Sequence, residues 1–372
     1  MDRKIAILTL YYRNYNSGGQ LQAYALQKVL EKAGYDCRQI AFQRDRKEVA
    51  LRKIRSFLRD SAAERKKFFL ARANRVLRIL RREPTGTVTF RKFDEWAERI
   101  PHTETVTRQT IGKLNADFDT FIVGSDQVWN PEYVPMTFFL DFTEDGKKRI
   151  SYAASIRQEK YEKKEGREIR RLVERFDAVS VRERAAVKVL RDIGVGKEIT
   201  VDLDPTLLLT AEDWDEAAVK PETDQDYVFS YLVKDPRALD GIRAFAQERG
   251  CRVISVNNPG YVTRDDDVFL RIRTGVGPAE FLGLMKHAKY VFVDSFHGLV
   301  FSLIYRKPFL VFGEKTDDRK VTLLELAGMP DRMIPPGTGK EGYRFEGMDF
   351  EEAARRIGEA REISMKRLFA SI

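Results

Sequence analysis

The stretch KYVFVDSFHGLVFS, residues 289–302, is the clearest indicator of the fold of this 372-residue chain. Residues 290–293 form a short, apolar, β-rich run, which is typical of a strand buried in a parallel sheet. Asp294 and Ser295 are residue types that begin helices. The stretch therefore predicts a strand, a sharp break and a helix, with His297 where the strand ends and the helix begins.

Open α/β sheets bind ligands at such strand ends, and helix N-termini attract anions. His297 is therefore a candidate functional residue, although a lone histidine at such a position is about as often a packing or surface residue. The other two histidines are weaker candidates. His287 lies late in a predicted helix, where an imidazolium suits the helix dipole, and His102 follows a proline in a polar connector.

Strands and helices alternate on both sides of this stretch. In the second half of the chain, strands are predicted at 227–233, 251–256, 290–293 and 309–312, with helices at 236–248, 278–288 and 299–305. In the first half, strands are predicted at 4–10, 35–42, 119–123, 149–155, 178–181 and 198–201, with helices at 21–33, 162–176 and 183–190. Such alternation is typical of a parallel sheet covered by helices.

The pattern predicts an α/β protein with two Rossmann-like domains facing each other across a cleft. The first domain is expected at residues 1–206 and the second, which carries His297, at 207–348. An amphipathic helix in residues 349–372 could cross back to the first domain.

Composition favours a soluble globular protein, since 43% of the residues are hydrophobic and 33% are charged. The apolar run near the N-terminus, residues 5–10, is too short for a membrane span and lacks a signal-peptide layout. Cys37 and Cys251 provide no metal-ligand spacing and no disulfide framework, which fits a reducing compartment. We therefore expect a cytoplasmic protein.

The net charge of +9 is concentrated in residues 44–92, which contain 17 Lys/Arg and 5 Asp/Glu. This segment therefore has a net charge of +12, and the rest of the chain has a net charge of −3. This segment is expected to be a basic helical insertion in the first domain. It is either a solvated helical hairpin or a peripheral contact with anionic lipid at the inner membrane face or with a lipid-linked phosphate. Nucleic acid is not expected as a partner, because no stacking aromatics are interleaved with the basic residues.

The loop expected before the helix at 21–33 contains Asn16, Gly18, Gly19 and Gln20. Its glycines either make a tight turn or offer backbone amides to an anion. The loop lacks the G-x-G-x-x-G spacing, so it does not predict a dinucleotide site.

Further polar residues follow other predicted strands. Asp126, with Gln127 and Trp129 beside it, is a candidate base, and Asx-turn chemistry is the plainer interpretation. Arg182 lies at a strand–helix junction like that of His297, where a planar guanidinium suits phosphate or carboxylate. The alternative for Arg182 is a surface ion pair of little energetic value.

These residues would line the cleft between two such domains, together with Arg319 and Lys320 ahead of the helix predicted at 321–327. The set combines cationic anchors with an imidazole and a carboxylate. The sequence has no nucleophile elbow, metal cluster or Walker loop. It predicts transfer from a small anionic donor.

The chain resembles the polysaccharide pyruvyl transferase family. Five stretches carry the resemblance in the family's order: YNSGGQLQAYALQ (15–27), GSDQVWNP (124–131), SVRE (180–183), DPT (204–206) and DSFHG (294–298). The resemblance implies a GT-B-like fold. It also implies transfer of an enolpyruvyl unit from phosphoenolpyruvate to two hydroxyls of a sugar in cell-surface polysaccharide biosynthesis, which leaves a pyruvate ketal and free phosphate. No metal or nucleotide cofactor is implied.

By this resemblance His297 corresponds to the family's essential histidine, and it is the expected acid for the methylene carbon because histidine titrates near neutral pH. Asp126 would accept a proton from the sugar hydroxyl. The expected donor-binding residues are Arg182, Ser295, Gly298, Arg319 and Lys320. The residues expected at the acceptor or in its loop are Asn16, Gly18, Gly19, Gln20, Gln127 and Trp129.

One feature departs from the family. Many members carry an arginine two residues before the histidine, where this chain has Ser295. Either Arg319 or Lys320 replaces that cation, or the donor is not phosphoenolpyruvate. The alternatives are a GT-B glycosyltransferase that uses a sugar nucleotide and a non-enzymatic protein that binds glycan or lipid phosphate.

Overall fold

The computed structural model describes residues 3–44, 87–130, 134–156, 160–232, 238–256, 270–273 and 275–372. Most of the basic segment predicted as a helical insertion, residues 44–92, therefore lies outside the described residues. Its described C-terminal end is the start of a helix, Thr87–Ala97.

Within the described residues, the first domain has a sheet of six strands. Their order is β2-β1-β3-β4-β5-β6. All of its pairs are parallel. The two central apolar strands at Ile5–Leu8 and Thr120–Val123 are buried along their whole length, as expected for a sheet covered on both faces, whereas the edge strands are partly exposed. The strands are β1 (Ile5–Leu8), β2 (Cys37–Gln39), β3 (Thr120–Val123), β4 (Lys148–Ala154), β5 (Ala178–Val181) and β6 (Ile199–Val201).

The segments that connect the strands of this sheet contain helices. They are α1 (Ser17–Lys32), α2 (Thr87–Ala97), α3 (Lys163–Val173) and α4 (Arg184–Asp192), with 3-10 helices at Ile111–Ala116 and Met136–Phe139. The connection to the second domain contains a 3-10 helix, Pro205–Leu207, and α5 (Ala211–Asp215).

The second domain repeats this architecture, with the strand order β12-β11-β10-β7-β8-β9 and parallel pairing throughout the described strands. The strands are β7 (Tyr227–Tyr231), β8 (Arg252–Val256), β9 (Leu270–Arg273), β10 (Tyr290–Val293), β11 (Phe309–Phe312) and β12 (Met333–Ile334). The helices are α6 (Leu239–Glu248), α7 (Pro278–Lys286), α8 (Phe296–Ile304) and α9 (Asp318–Leu326), with 3-10 helices at Pro330–Arg332 and Lys340–Gly342. The prediction of two Rossmann-like domains is confirmed.

The C-terminal helix α10 (Phe350–Ser371) contacts both domains. Near its start, Glu351 pairs with Arg306 of the second domain at 2.5 Å. Further along, Leu203 N–H of the first domain donates to Ser364 Oγ at 3.1 Å. One apolar cluster continues from β1 and α1 through α7 and α8 to α10, so the domains share a core. Over the described part of the chain, no helix combines the length and apolar character needed to cross a bilayer.

Three helices begin earlier than the apolar pattern predicts. Helix α1 starts at Ser17 rather than at residue 21, because Asn16 Oδ1 accepts a hydrogen bond of 3.1 Å from Gly19 N–H and caps the helix. Gly18, Gly19 and Gln20 thus lie in the first helical turn and not in a loop. Helix α8 likewise starts at Phe296 rather than at residue 299. Helix α9 starts at Asp318 rather than at residue 321, so Arg319 and Lys320 lie in its first turn and not ahead of it.

Candidate active site

His297 lies in the first turn of α8, directly after β10. Ser295 caps this helix by accepting a hydrogen bond of 2.9 Å from Gly298 N–H. A Cβ on Gly298 would lie 2.7 Å from Val293 Cγ1, so glycine permits the close packing of this turn on the strand. Ser295 and Gly298, predicted to bind the donor, thus build the turn that presents His297.

The His297 ring meets the first domain at Gly18 of α1. A Cβ on Gly18 would lie 2.1 Å from His297 Nδ1. The ring can therefore occupy this position only while residue 18 has no side chain. The glycine brings together two stretches that lie far apart in the sequence.

Asp204 is the residue that joins the two domains at this point. It begins the 3-10 helix Pro205–Leu207, and its side chain is 0% exposed. Its Oδ1 accepts from Thr206 N–H at 3.1 Å and from Thr206 Oγ at 2.6 Å. Its Oδ2 accepts from Arg182 Nη1 at 2.6 Å and from Ser125 Oγ at 3.1 Å, and lies 3.5 Å from His297 Nε2.

The charge of Asp204 is stabilised by these neighbours. Burial by itself would raise the pKa of Asp204, but His297 and the Arg182 guanidinium outweigh burial and hold that pKa well below its ordinary value of 3.8. Sequence analysis had Asp204 only as part of the Asp-Pro-Thr motif. The local signal was an N-cap residue followed by proline, which does not by itself predict a contact with a histidine.

Arg182 is buried at the end of β5, with 2% of its side chain exposed. Besides the bond to Asp204, its Nη2 lies 3.4 Å from Asp126 Oδ1 and its Nε 4.0 Å from Glu183 Oε2. The guanidinium carbon lies 4.3 Å from the centre of the Phe296 ring, a cation–π contact with the second domain. Burial acts to lower the pKa of Arg182, but the carboxylates, led by Asp204, outweigh it and raise that pKa. Arg182 is thus a permanent buried cation and not a surface ion pair.

Asp126 and Glu183 complete this charged cluster. Asp126 has a φ of +67°, in the left-handed region that aspartate tolerates better than most residues, and it is partly exposed. Glu183 is buried, and its Oε1 accepts from Ser155 Oγ at 3.0 Å and from Ile156 N–H at 2.9 Å. Burial raises the pKa of Glu183, and Arg182 offsets only part of the rise.

Arg319 and Lys320, predicted ahead of this helix, lie in the first turn of α9 and have different surroundings. Arg319 forms two hydrogen bonds to Asp317, at 2.9 and 3.0 Å, and lies close enough to Glu183 to lower its pKa. Lys320 is buried, and its Nζ donates to Phe312 O at 3.2 Å and pairs with Asp317 at 3.3 Å. Lys320 therefore holds Asp317, the residue to which Arg319 is hydrogen-bonded.

A cavity of 540 Å³ lies between the two domains and α10. Its volume is in the usual range for ligand sites. Arg182, Asp204, Phe296 and Arg319 line it, and Ile363 of α10 forms part of its apolar wall. It therefore offers cations and apolar surface together. His297 is not one of the described residues that line this cavity.

The residues of α1 and its cap that were predicted to bind the acceptor mainly stabilise the local structure. Asn16 is the helix cap, as described above, although part of it remains exposed. Gln20 is buried, and its Nε2 donates to Asn14 O at 3.1 Å, which holds the preceding loop in place. Gly19 lies beside Asp126, whose Oδ2 would be 3.8 Å from a Cβ at position 19.

Trp129 does not lie in the cleft but in the core of the first domain. Its ring stacks on Phe139 with the centres 5.4 Å apart, and its Nε1 donates to Phe138 O at 3.1 Å. The Trp129 side chain is fully buried because these aromatics close over it. Gln127, by contrast, stays half-buried beside Asp126.

The structure thus brings together His297, Gly18, Arg182 and Asp126, and adds Asp204 and Glu183, which sequence analysis did not select as site residues. The arrangement has an imidazole at a domain interface, a buried cation, and a carboxylate open to solvent. Such a set can bind an anion and move protons. Within the described residues, no group of three or more His, Cys, Asp and Glu side chains is placed to hold a metal ion.

Comparisons with known proteins give a family and a fold. The family model for polysaccharide pyruvyl transferase matches residues 16–316. No curated protein matches the chain. The structure of Methanocaldococcus jannaschii UDP-GlcNAc 2-epimerase in complex with UDP-GlcNAc and UDP is 13% identical, with a TM-score of 0.53 over 96% of this chain and 99% of that one. The UDP-N-acetylglucosamine 2-epimerase from Rickettsia bellii is 11% identical, with a TM-score of 0.52 over 100% and 96%. At these identities the likeness shows only the fold, which is GT-B-like.

Proposed function

Because the chain belongs to the polysaccharide pyruvyl transferase family, we propose that it transfers a pyruvyl group from phosphoenolpyruvate to two hydroxyls of a glycan sugar, forming a pyruvate ketal and releasing phosphate. The observation that carries the proposal is the contact between the buried Arg182–Asp204 pair of the first domain and the His297 imidazole of the second. An anion anchor and a proton donor are thereby held at one domain interface.

Phosphoenolpyruvate carries a phosphate and a carboxylate, so its binding needs more than one cation. Arg182 and Arg319 line the same cavity and both lie near Glu183. In this proposal Arg319 supplies the second cation in place of the arginine that many family members have at the position of Ser295. Lys320 contributes indirectly, by holding Asp317. No bound cofactor is needed.

The reaction itself calls for a proton on the methylene carbon of the donor. In our proposal His297 supplies it, the methylene becomes a methyl group, and C2 becomes electrophilic. A first sugar hydroxyl adds to C2 and loses its proton to Asp126. Asp126 passes this proton to the phosphate as the C2–O bond breaks, the second hydroxyl adds to C2, and its proton restores His297. One hydroxyl proton thus ends on the methyl group and the other leaves with phosphate.

The partner in this proposal is a glycan acceptor on the cytoplasmic side of the membrane. The basic composition of residues 44–92 suits a peripheral contact with anionic lipid or with a lipid-linked acceptor. This contact is separate from the chemistry and can be absent without changing the proposed reaction.

The test is acceptor-dependent phosphate release from phosphoenolpyruvate, measured with a panel of aryl- and lipid-linked sugars. We expect release with the wild type and a fall of about 10²-fold or more in His297→Ala, the usual worth of a positioned acid. His287→Ala is the matched control, because His287 lies at the end of α7 and should retain activity.

Two other outcomes would contradict the proposal. Turnover of a sugar nucleotide without consumption of phosphoenolpyruvate would make the protein a GT-B glycosyltransferase. Binding of glycan or lipid phosphate without turnover of either donor, and without sensitivity to His297→Ala, would make it a binding protein.

A further inference from the structure

The two ring nitrogens of His297, Nε2 and Nδ1, have different surroundings. Nε2 is buried and makes no hydrogen bond to any described residue, and the polar atom that it faces is Asp204 Oδ2 at 3.5 Å. The ring as a whole is 11% exposed. Because Nε2 is sealed, that exposure lies on the rest of the ring.

We propose that Asp204 is a positioning residue that fixes the orientation and tautomer of His297, so that Nε2 faces the Asp204 carboxylate and Nδ1 is the nitrogen that exchanges protons with the substrate. As a statement about catalysis this rests on the proposed function. As a statement about the imidazole it rests on the geometry alone.

The carboxylate is suited to this task because it cannot move away. Thr206 donates twice to Oδ1, and Arg182 and Ser125 donate to Oδ2. A fully buried carboxylate held by four donors is rigid, and the oxygen that accepts from Arg182 and Ser125 also faces Nε2. The 3.5 Å separation is longer than a normal hydrogen bond, and catalytic contacts of this kind are often long before substrate binds.

The opposite side of the ring has no hydrogen-bond partner among the described residues. Nδ1 lies against Gly18, which has no side chain to donate or accept there, and no described residue forms a hydrogen bond with Nδ1. In histidine, the hydrogen bond made by one nitrogen decides which nitrogen holds the proton in the neutral ring. A fixed anion opposite Nε2 keeps a proton on Nε2, so the proton that comes and goes is on Nδ1.

The same oxygen of Asp204 also holds Arg182. The anchor proposed for the donor and the proposed acid are therefore tied to one carboxylate oxygen. Both groups keep a constant spacing as long as this oxygen stays ionised and in place.

The first test is the nitrogen NMR spectrum of the imidazoles in uniformly ¹⁵N-labelled protein. The chain has three histidines, so the signals of His297 can be assigned by their loss in His297→Ala. In the neutral ring we expect the proton on Nε2 in the wild type and a mixture of both forms in Asp204→Asn. A wild-type ring protonated on Nδ1, or a spectrum that Asp204→Asn leaves unchanged, would overturn the proposal.

The matched control is Asp202→Asn. Asp202 lies two residues earlier, its side chain is 1% exposed, and it accepts from Ser180 Oγ at 2.7 Å and Arg367 Nη1 at 3.2 Å, away from His297. We expect this variant to keep the wild-type signals of His297. If Asp204→Asn does not fold, the wild-type spectrum still decides the tautomer.

Kinetics provide the second test. If the protein releases phosphate as proposed, Asp204→Asn should lower kcat by about 10²-fold, and Asp204→Glu, which keeps the charge, should lower kcat less. A variant with wild-type kcat but an altered imidazole spectrum would overturn the catalytic part alone. A wild type without phosphate release, but with the expected tautomer, would reject the proposed function and leave the positioning role standing.

Discussion

Asp318 of the second domain accepts a hydrogen bond of 2.7 Å from the backbone N–H of Ala185, in the first turn of α4 in the first domain. No side chain of α4 itself caps this turn, so the cap comes from the other domain. Beside it, Arg184 pairs with Glu325 of α9 across the same boundary. A helix end that is satisfied only when the domains meet favours the closed arrangement.

We expect Asp318→Ala to lower the free energy of unfolding by about 1 kcal/mol and to increase the radius of gyration in small-angle X-ray scattering. Asp349→Ala is the control, because Asp349 caps α10 by accepting from Glu352 N–H at 2.9 Å, within one element. Asp349→Ala should lower the free energy of unfolding by a similar amount and leave the radius of gyration unchanged. Equal scattering from wild type and both variants would show that the cap does not hold the domains together.

Gly18→Ala tests the contact between α1 and the imidazole. The added Cβ needs space that His297 Nδ1 occupies, so the ring must move, and we expect kcat for phosphate release to fall at least about tenfold. The control is Gly358→Ala in α10, where a Cβ meets nothing within 4 Å and should stabilise the helix by about 0.5–1 kcal/mol. A Gly18→Ala enzyme with wild-type kcat would contradict a role for the ring's position.

Local sequence patterns predict much of the fold. The strands β5, β10 and β11 have the bounds that the sequence predicts, because a buried parallel strand is a short, unbroken apolar run. His297 could be placed at a strand–helix junction for the same reason. The missed strands lack this signal: β9 alternates apolar residues with arginine, and β12 has two residues.

The site was predictable only in part. Arg182 and His297 follow recognisable strand ends, but the role of Asp204 depends on a contact with a residue 93 positions later in the chain. Locally it looks like any aspartate before a proline. Trp129 shows the opposite error. It follows polar loop residues, yet the aromatics of the 3-10 helix Met136–Phe139 fold over it and bury it.

The burial of Trp129 leads to a prediction about stability. We expect Trp129→Ala to lower the free energy of unfolding by about 3–5 kcal/mol, measured by urea denaturation. Trp129→Phe keeps an aromatic ring against Phe139 but loses the hydrogen bond to Phe138 O and some buried volume, so it should cost less than alanine, about 1–3 kcal/mol, and leave KM for the acceptor unchanged. A large rise in that KM at wild-type stability would return Trp129 to the acceptor site.

The two cysteines report on the two domains separately. Cys37 lies on β2 and Cys251 directly before β8, and both are buried. Burial raises the pKa of the Cys37 thiol to about 12 and raises that of Cys251 as well. At pH 8 only about 10⁻⁴ of the Cys37 thiol is therefore ionised. Because both thiols are also buried, we expect no fast reaction of the native protein with a thiol reagent.

The sign of the pH dependence follows from the same shift. Between the ordinary thiol pKa of 9.0 and the raised value of about 12, the unfolded chain ionises at Cys37 and the folded one does not. Stability therefore falls as pH rises through this range. In Cys37→Ser this part of the fall should be absent from urea denaturation curves between pH 8 and 10.

The labelling of these thiols in increasing urea tests how tightly the domains are coupled. The apolar cluster shared by both domains and α10 should make them unfold together, so Cys37 and Cys251 should become reactive with the same midpoint. Cys37→Ser and Cys251→Ser each leave one thiol and assign the two reactions. Two separated midpoints would show that each domain opens alone, and that the interface around Arg182, Asp204 and His297 adds little to the stability of either one.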